Sequence, residues 1–281
     1  LGGEYHYRTD GAEEELMVYL FSDRDKLREI LKDKFIYLFL DYDGTLTPIS
    51  RSPDKAPISK RAKELLSRLS KSPRCKLAIV SGRALKDIKH IVSAEGVIYV
   101  GNHGLEIEGP KLKFKSIVPS GFKELLQEIK HDLNKRLIPI KGIFLEDKGY
   151  ALSLHYRLVP KKHIPLVKTA FHEAVIIPLV RNKIKINSGK KMLEIRPPIR
   201  WDKGKSVAWL LARQEFASKG NAVFPIYIGD DITDEDAFGA LKDKGLTVFV
   251  GKPKKTKARY YLRSPREVME LLVKILESRK E

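Results

Sequence analysis

The chain has 281 residues, 42% of them hydrophobic, with 54 Lys and Arg against 36 Asp and Glu for a formal net charge of +18. That is enough for one large or two ordinary domains with a substantial core. No window approaches the apolar length of a membrane span and no signal-peptide pattern opens the sequence, so no membrane partner is expected. The single cysteine, Cys75, excludes an internal disulfide, fits a cytoplasmic setting and is expected to be a buried, inert thiol beside an apolar strand. Basic charge favours anions, and both phosphate esters and nucleic acids qualify. The lysines are spread along the chain, however, and the densest run, residues 252–257, lacks interleaved aromatics. Nucleic acid is therefore not the expected partner.

Residues 12–33 place Leu16, Tyr19, Leu20, Leu27, Ile30 and Leu31 at helical spacing, which predicts one or two lead-in helices. Residues 35–40 are an apolar, β-prone run, read as a strand buried on both faces of a parallel sheet. A helix over 57–70 with Ser59 as its cap follows, then a strand over 76–80, a helix over 84–92 and a short strand over 96–100. Strands alternating with helices predict crossover units and a doubly wound, mainly parallel α/β sheet.

The pattern changes near Pro119. A helix over 120–137, strands over 143–146 and 150–157, a helix over about 161–176 and strands over 183–187 and 191–196 form a separate α/β unit that ends at Pro197-Pro198. The first pattern then resumes with a helix over 203–218, a strand over 224–228, a short helix over 234–241, strands over 246–250 and 260–262, and a last helix from Ser264. The expected organisation is a core made of residues 1–118 and 199–281, interrupted by an inserted unit over 119–198.

Polar clusters sit where these elements end. Asp41 and Asp43 follow the first buried strand, and two like charges so close to an apolar strand are costly unless a cation or a reaction needs them. Ser81 precedes Gly82, whose amide can approach an anion. Lys203 opens a helix, where a cation is misplaced unless an anion lies nearby. Asp230, Asp231 and Asp234 form a second acidic group. Ligands of open α/β sheets bind at the carboxyl ends of strands, and this set suits phosphoryl transfer through a carboxylate nucleophile. The run around Thr233 and Asp236 also reads as a capping box with Asp in place of Glu.

Asp41-Tyr42-Asp43-Gly44-Thr45, Ser81-Gly82-Arg83, Lys203-Gly204-Lys205 and Gly229-Asp230-Asp231-Ile232-Thr233-Asp234 resemble, in content and order, the motifs of the haloacid-dehalogenase superfamily of phosphatases. The large insertion matches its subgroup with an α/β cap. The stretches FLDYDGTLTPI, IVSGR, GNHGLE, LSLHYR, KKMLEIRP and YIGDDITDEDAF narrow the resemblance to trehalose-6-phosphate phosphatases, over nearly everything from Phe35 onward.

The resemblance implies a Rossmann-like core and magnesium-dependent hydrolysis of trehalose 6-phosphate. Asp41 would be the nucleophile that forms an aspartyl-phosphate, and Asp43 the acid and base. Ser81 and Lys203 would hold the phosphoryl oxygens. Asp230, a carboxylate oxygen of Asp41 and the main-chain carbonyl of Asp43 would bind Mg2+, with Asp231 and Asp234 orienting the metal's surroundings. Gly82, Arg83, Asn102, His103, Glu146, Arg157, Lys190, Lys191 and Glu194 would contact substrate. Partners implied are a sugar phosphate and, through association or fusion, a trehalose-phosphate synthase; a monomer is expected. The rival readings are a phosphatase of sucrose phosphate or a glucosylglycerate-type phosphate, and a non-catalytic sugar-phosphate sensor.

Overall fold

A computed structural model describes residues 17–32, 34–49, 57–189, 191–219 and 222–279. In chain order the elements are β1 (Val18–Tyr19), α1 (Arg24–Leu31), β2 (Phe35–Leu40), α2 (Lys60–Ser70), β3 (Cys75–Val80), α3 (Leu85–Val92), β4 (Ile98–Gly101), β5 (Glu106–Gly109) and β6 (Leu112–Lys115). There follow α4 (Phe122–Leu137), β7 (Phe144–Asp147), β8 (Leu152–His155), α5 (Ile164–Val180), β9 (Lys185–Gly189) and β10 (Met192–Arg196). The chain ends with α6 (Lys203–Ala217), β11 (Val223–Gly229), α7 (Glu235–Leu241), β12 (Leu246–Val250), β13 (Tyr260–Leu262) and α8 (Pro265–Glu277).

A nine-stranded sheet runs in the order β1-β13-β12-β11-β2-β3-β4-β5-β6, parallel from β1 through β4 and antiparallel in the β5–β6 hairpin. The alternation of β2 sorts its side chains to the two faces. Ile36, Leu38 and Leu40 pack with Leu65, Leu66 and Leu69 of α2, Ile88 of α3 and Leu271 and Leu272 of α8. Tyr37 and Phe39 pack with Val207, Leu210 and Leu211 of α6 and Phe238 and Leu241 of α7. Helices on both faces explain why β2 is apolar at every position rather than at every second one. From β2 the chain steps outward to β3 and β4. After the insertion it returns on the other side of β2 as β11. The boundary between β2 and β11 is thus a topological switch point, where this architecture places ligands. Pro225 is tolerated in β11 because pairing with β12 begins only at Ile226.

The inserted unit has its own antiparallel sheet, β7-β8-β10-β9. Leu152, Leu154 and Ile195 turn to one face, where Phe122, Leu126, Ile129 and Leu133 of α4 and Val167, Phe171 and Val175 of α5 cover them. The other face carries the cross-strand row Glu146–Ser153–Glu194–Asn187.

Several expectations change. Leu16 and the rest of residues 12–16 lie outside the described residues, as does Lys190. Tyr19 is not helical: it lies in the edge strand β1, paired with β13, and its ring packs against Tyr261. The hairpin β5–β6 has no counterpart in the sequence reading, because two four-residue strands rich in charge give little period-two signal. The capping box belongs to Asp231 and Asp234, two residues before the Thr233–Asp236 pair that spacing suggested. By length and composition alone, the helix Lys161–Val180 would suffice to cross a membrane, against the sequence expectation; here one side of it packs on the four-stranded sheet.

Candidate active site

Four neighbouring strands deliver the site. Asp41 and Asp43 follow β2, Ser81 follows β3, Asn102 and His103 follow β4, and Asp230 and Asp231 follow β11. Beneath them α6 begins at Lys203, with Asp202 as its cap accepting from the Lys205 amide at 2.8 Å.

The buried ammonium of Lys203 donates to Asp41 Oδ1 and Asp234 Oδ1, each at 2.7 Å. Burial works against its charge, but Asp234 and Asp41 outweigh burial and hold its pKa above the usual lysine value. Asp234 is fully engaged. Its Oδ1 also accepts from the Tyr227 hydroxyl at 2.7 Å, and its Oδ2 from the amides of Asp230 and Asp231 at 3.0 and 2.9 Å. It therefore shapes the acidic turn rather than offering free lone pairs.

Oxygens of Asp41, Asp230 and Asp234 lie within 4.8 Å of one another. One lysine cannot offset three buried carboxylates. Burial, together with the charges of Asp234 and Asp230, pushes the Asp41 pKa well above the usual carboxylate range despite Lys203. A hard divalent cation fits this donor set, with Asp41 and Asp230 as its side-chain ligands. Gly44 fits the same arrangement: its φ is +93°, and a Cβ there would lie 2.3 Å from the Asp230 carboxylate.

Asp43 leaves the acidic cluster. Arg83 donates to it in a bidentate pair, Nε to Oδ2 at 2.7 Å and an Nη to Oδ1 at 2.6 Å, which fixes the orientation of a half-exposed carboxylate. Ser81 is buried and its hydroxyl oxygen accepts from the Arg83 amide at 3.1 Å. Cys75 is remote from this chemistry, buried, with its thiol pKa pushed up to about 11 by burial.

Above the acids opens a cavity of about 380 Å³. The core contributes Asp41, Asp43, Gly82, Arg83, His103, Lys203, Asp230, Asp231 and Thr233. The inserted unit supplies Phe144, Glu146, Lys148, His155, Arg157 and Met192. Glu146 accepts from the His155 ring at 2.8 Å and lies 3.8 Å from Lys148 Nζ. Burial raises its pKa, but these partners and Arg83 overcome that and hold the carboxyl below its usual value.

Other candidate residues are not on this wall. Glu194 is fully buried beneath it, accepting from Lys148 Nζ at 2.8 Å, Ser153 Oγ at 2.9 Å and Arg196 Nε. Both its oxygens are thereby committed to protein partners, and it anchors Lys148. Lys191 sits in the β9–β10 turn with its ammonium over the Tyr156 ring. Asn102 is buried between Glu106 and the main chain of Lys148. Lys148, which lines the cavity, was missed because beside Gly149 it reads as a turn residue; its placement two positions after Glu146 was the available signal. His155 was missed because the sequence left open whether it or Tyr156 faces the cap helices; its place two positions before Arg157, on the same face by strand alternation, was the available signal.

These features define a phosphatase of the haloacid-dehalogenase class: acids and a lysine at one sheet edge, under an α/β cap. The family model described as trehalose-phosphatase matches residues 39–266. "Probable trehalose-phosphate phosphatase D" of Arabidopsis thaliana is 38% identical over 265 residues, 90% of this chain and 70% of that protein. "Trehalose 6-phosphate phosphatase RA3" of Zea mays is 37% identical over 260 residues, 87% of this chain and 70% of that one. Among solved structures, the C-terminal domain of the trehalose-6-phosphate phosphatase of C. albicans aligns with a TM-score of 0.75 at 25% identity, covering 93% of this chain and 99% of that one. The chain belongs to the trehalose-phosphatase family and is a phosphoric monoester hydrolase.

Proposed function

We propose that the protein hydrolyses trehalose 6-phosphate to trehalose and phosphate, with magnesium, through an aspartyl-phosphate on Asp41. The observation that carries this reading is the ammonium of Lys203 set between Asp41 and Asp234 beneath a cavity whose far wall, supplied by the inserted unit, carries Glu146, Lys148, His155 and Arg157 among apolar side chains. Asp41 attacks phosphorus and the bond from phosphorus to the sugar oxygen breaks. Asp43, which lines the same cavity, must first release an oxygen from the Arg83 pair and take up a proton; it then gives that proton to the sugar oxygen and takes one back from the water that hydrolyses the acyl phosphate. Lys203 and the Ser81–Gly82 loop stabilise charge on the phosphoryl oxygens. Magnesium, held by the carboxylates of Asp41 and Asp230 and the main-chain carbonyl of Asp43, would neutralise the incoming phosphate and keep Asp41 ionised.

Glu146, Lys148, His155 and Arg157 provide donors and acceptors for sugar hydroxyls, which supports a carbohydrate rather than an apolar leaving group. The test is phosphate release from trehalose 6-phosphate, sucrose phosphate and a glucosylglycerate-type phosphate, with and without a chelator. Preference for trehalose 6-phosphate, lost on chelation and restored by Mg2+, is expected. Release from none of these sugars would overturn the proposal. Asp41→Asn should lower turnover by about a thousandfold or more while leaving the fold intact.

A further inference from the structure

Asn102 and His103 are consecutive non-glycine residues in the left-handed region, with φ of +49° and +54°. Such a pair persists only where its surroundings hold it, and these surroundings join both halves of the site. On the core side, the Asn102 amide donates to the Arg83 carbonyl at 2.7 Å and the His103 amide to the Ser81 carbonyl at 3.0 Å. The turn is thus laced to the loop that faces the phosphoryl group. The imidazole also lies on Gly82 so closely that a Cβ there would meet Nε2 at 2.4 Å. On the cap side, Asn102 Nδ2 donates to the Lys148 carbonyl at 3.1 Å. His103 Nε2 is 3.4 Å from Glu194 Oε2, and Glu194 Oε1 accepts from the Lys148 ammonium at 2.8 Å. Lys148 is therefore held at its backbone by one residue of the turn and, through Glu194, at its side chain by the other.

Resting on the substrate reading above, we infer that the Asn102–His103 turn is a clasp that sets the cap's sugar-facing Lys148 in register with the Ser81–Gly82 phosphoryl loop, His103 being a positioning residue rather than a sugar ligand. The imidazole suits this use because it is neutral. Burial, aided by Arg196 and Lys203, lowers its pKa to about 3 despite the opposing charge and hydrogen bond of Glu194. A neutral ring can bridge core and cap without adding a buried charge.

The clasp makes the sugar's contribution to rate depend on residues that act through Lys148 and the Ser81–Gly82 loop rather than by gripping the sugar themselves. The test compares kcat/KM for trehalose 6-phosphate with that for p-nitrophenyl phosphate, which has no sugar to engage the cap. His103→Asn keeps a residue tolerant of positive φ but is too short to span Gly82 and Glu194. Asn102→Gly keeps the backbone and removes the donor to Lys148. Each is expected to lower the ratio of the two kcat/KM values by about tenfold or more, within the range that misplacement far from the reacting atoms produces. His103→Gln, which keeps a nitrogen near Nε2, is expected to restore much of it. A ratio unchanged within about twofold, whether both activities fall together or neither falls, overturns the clasp. Failure of the substrate reading is distinguishable: wild type would then cleave p-nitrophenyl phosphate but not trehalose 6-phosphate, and whichever sugar phosphate it prefers takes the latter's place in the ratio.

Discussion

Lys203 is a charge in a place that helix electrostatics disfavour, at the first turn of α6, and it is buried. Its two carboxylate partners supply the compensation, so its removal leaves Asp41 and Asp234 facing each other without a cation. Lys203→Met is expected to destabilise the metal-free protein by about 3–5 kcal/mol in urea unfolding at neutral pH, the usual cost of breaking a buried ion pair from one side. Adding Asp234→Asn should recover part of that loss. If the double variant is no more stable than the single one, repulsion between the carboxylates is not the cause. Acid should act through His103. Its pKa is about 3 in the folded chain against 6.5 when exposed, so between those values the unfolded chain binds a proton that the folded one refuses. Stability is then full above pH 6.5 and falls as pH drops towards 3, by up to about 1.4 kcal/mol per pH unit. Glu194, held well below its usual pKa against burial by Lys148, His103 and Arg196, adds loss in the same direction below about 4.5. Asp41, whose pKa is raised in the folded chain, works in the opposite sense over part of this window, so the imidazole is read by comparison: thermal midpoints recorded from pH 7.5 to 4.5 should fall more steeply in wild type than in His103→Asn. Parallel curves would show that the imidazole does not titrate as a buried neutral group.

At the scale of elements, the cap sheet assembles the far wall of the cavity by register. Pairing puts Glu146, Ser153, Glu194 and Asn187 side by side, and the same alternation sends Leu145, Leu154 and Leu193 towards the opposite, helix-covered face. Shifting β10 by one residue would exchange the two sets. Lys148, anchored by Glu194, is poised to meet substrate, and Lys148→Met is expected to raise KM for trehalose 6-phosphate by about tenfold or more, as loss of a charged donor to a sugar hydroxyl costs about 1.5–3 kcal/mol. A KM unchanged in steady-state assays would remove Lys148 from substrate contact. This element also marks how far the sequence could be read. The acids of β2 and β11, the Ser81–Gly82 loop and Lys203 were legible because each lies where an unambiguous buried strand or helix begins or ends. In the cap, single residues decide function. Glu194 could not be told from a wall residue, because its burial depends on Ser153 of the neighbouring strand β8 and Lys148 of the β7–β8 turn closing over it. Lys148 looked like part of a turn for the same reason: the partners that define its role come from β10 and from the β4 turn, far away in sequence.

In the whole molecule, the hydrophobic clusters follow the division between the large sheet and the insertion. Two clusters line the faces of the nine-stranded sheet, and a third, built on Phe122, Leu133, Leu154, Phe171 and Ile195, lies wholly within the insertion. A unit with its own hydrophobic core can fold without the rest. Residues 119–198 expressed alone are therefore expected to give a cooperative thermal transition and dispersed amide resonances, at a lower midpoint than the intact protein because Glu194 and Lys148 lose His103 and Asn102 from the core. A fragment without a cooperative transition would show that the large sheet is needed to order the cap. If the fragment folds, the bonds between the cap and the Asn102–His103 turn are free to break and re-form without unfolding either part. A cavity shared by two separately stable bodies can then admit a sugar phosphate and exclude water by their approach, the physical condition for cap closure to govern which leaving group is cleaved.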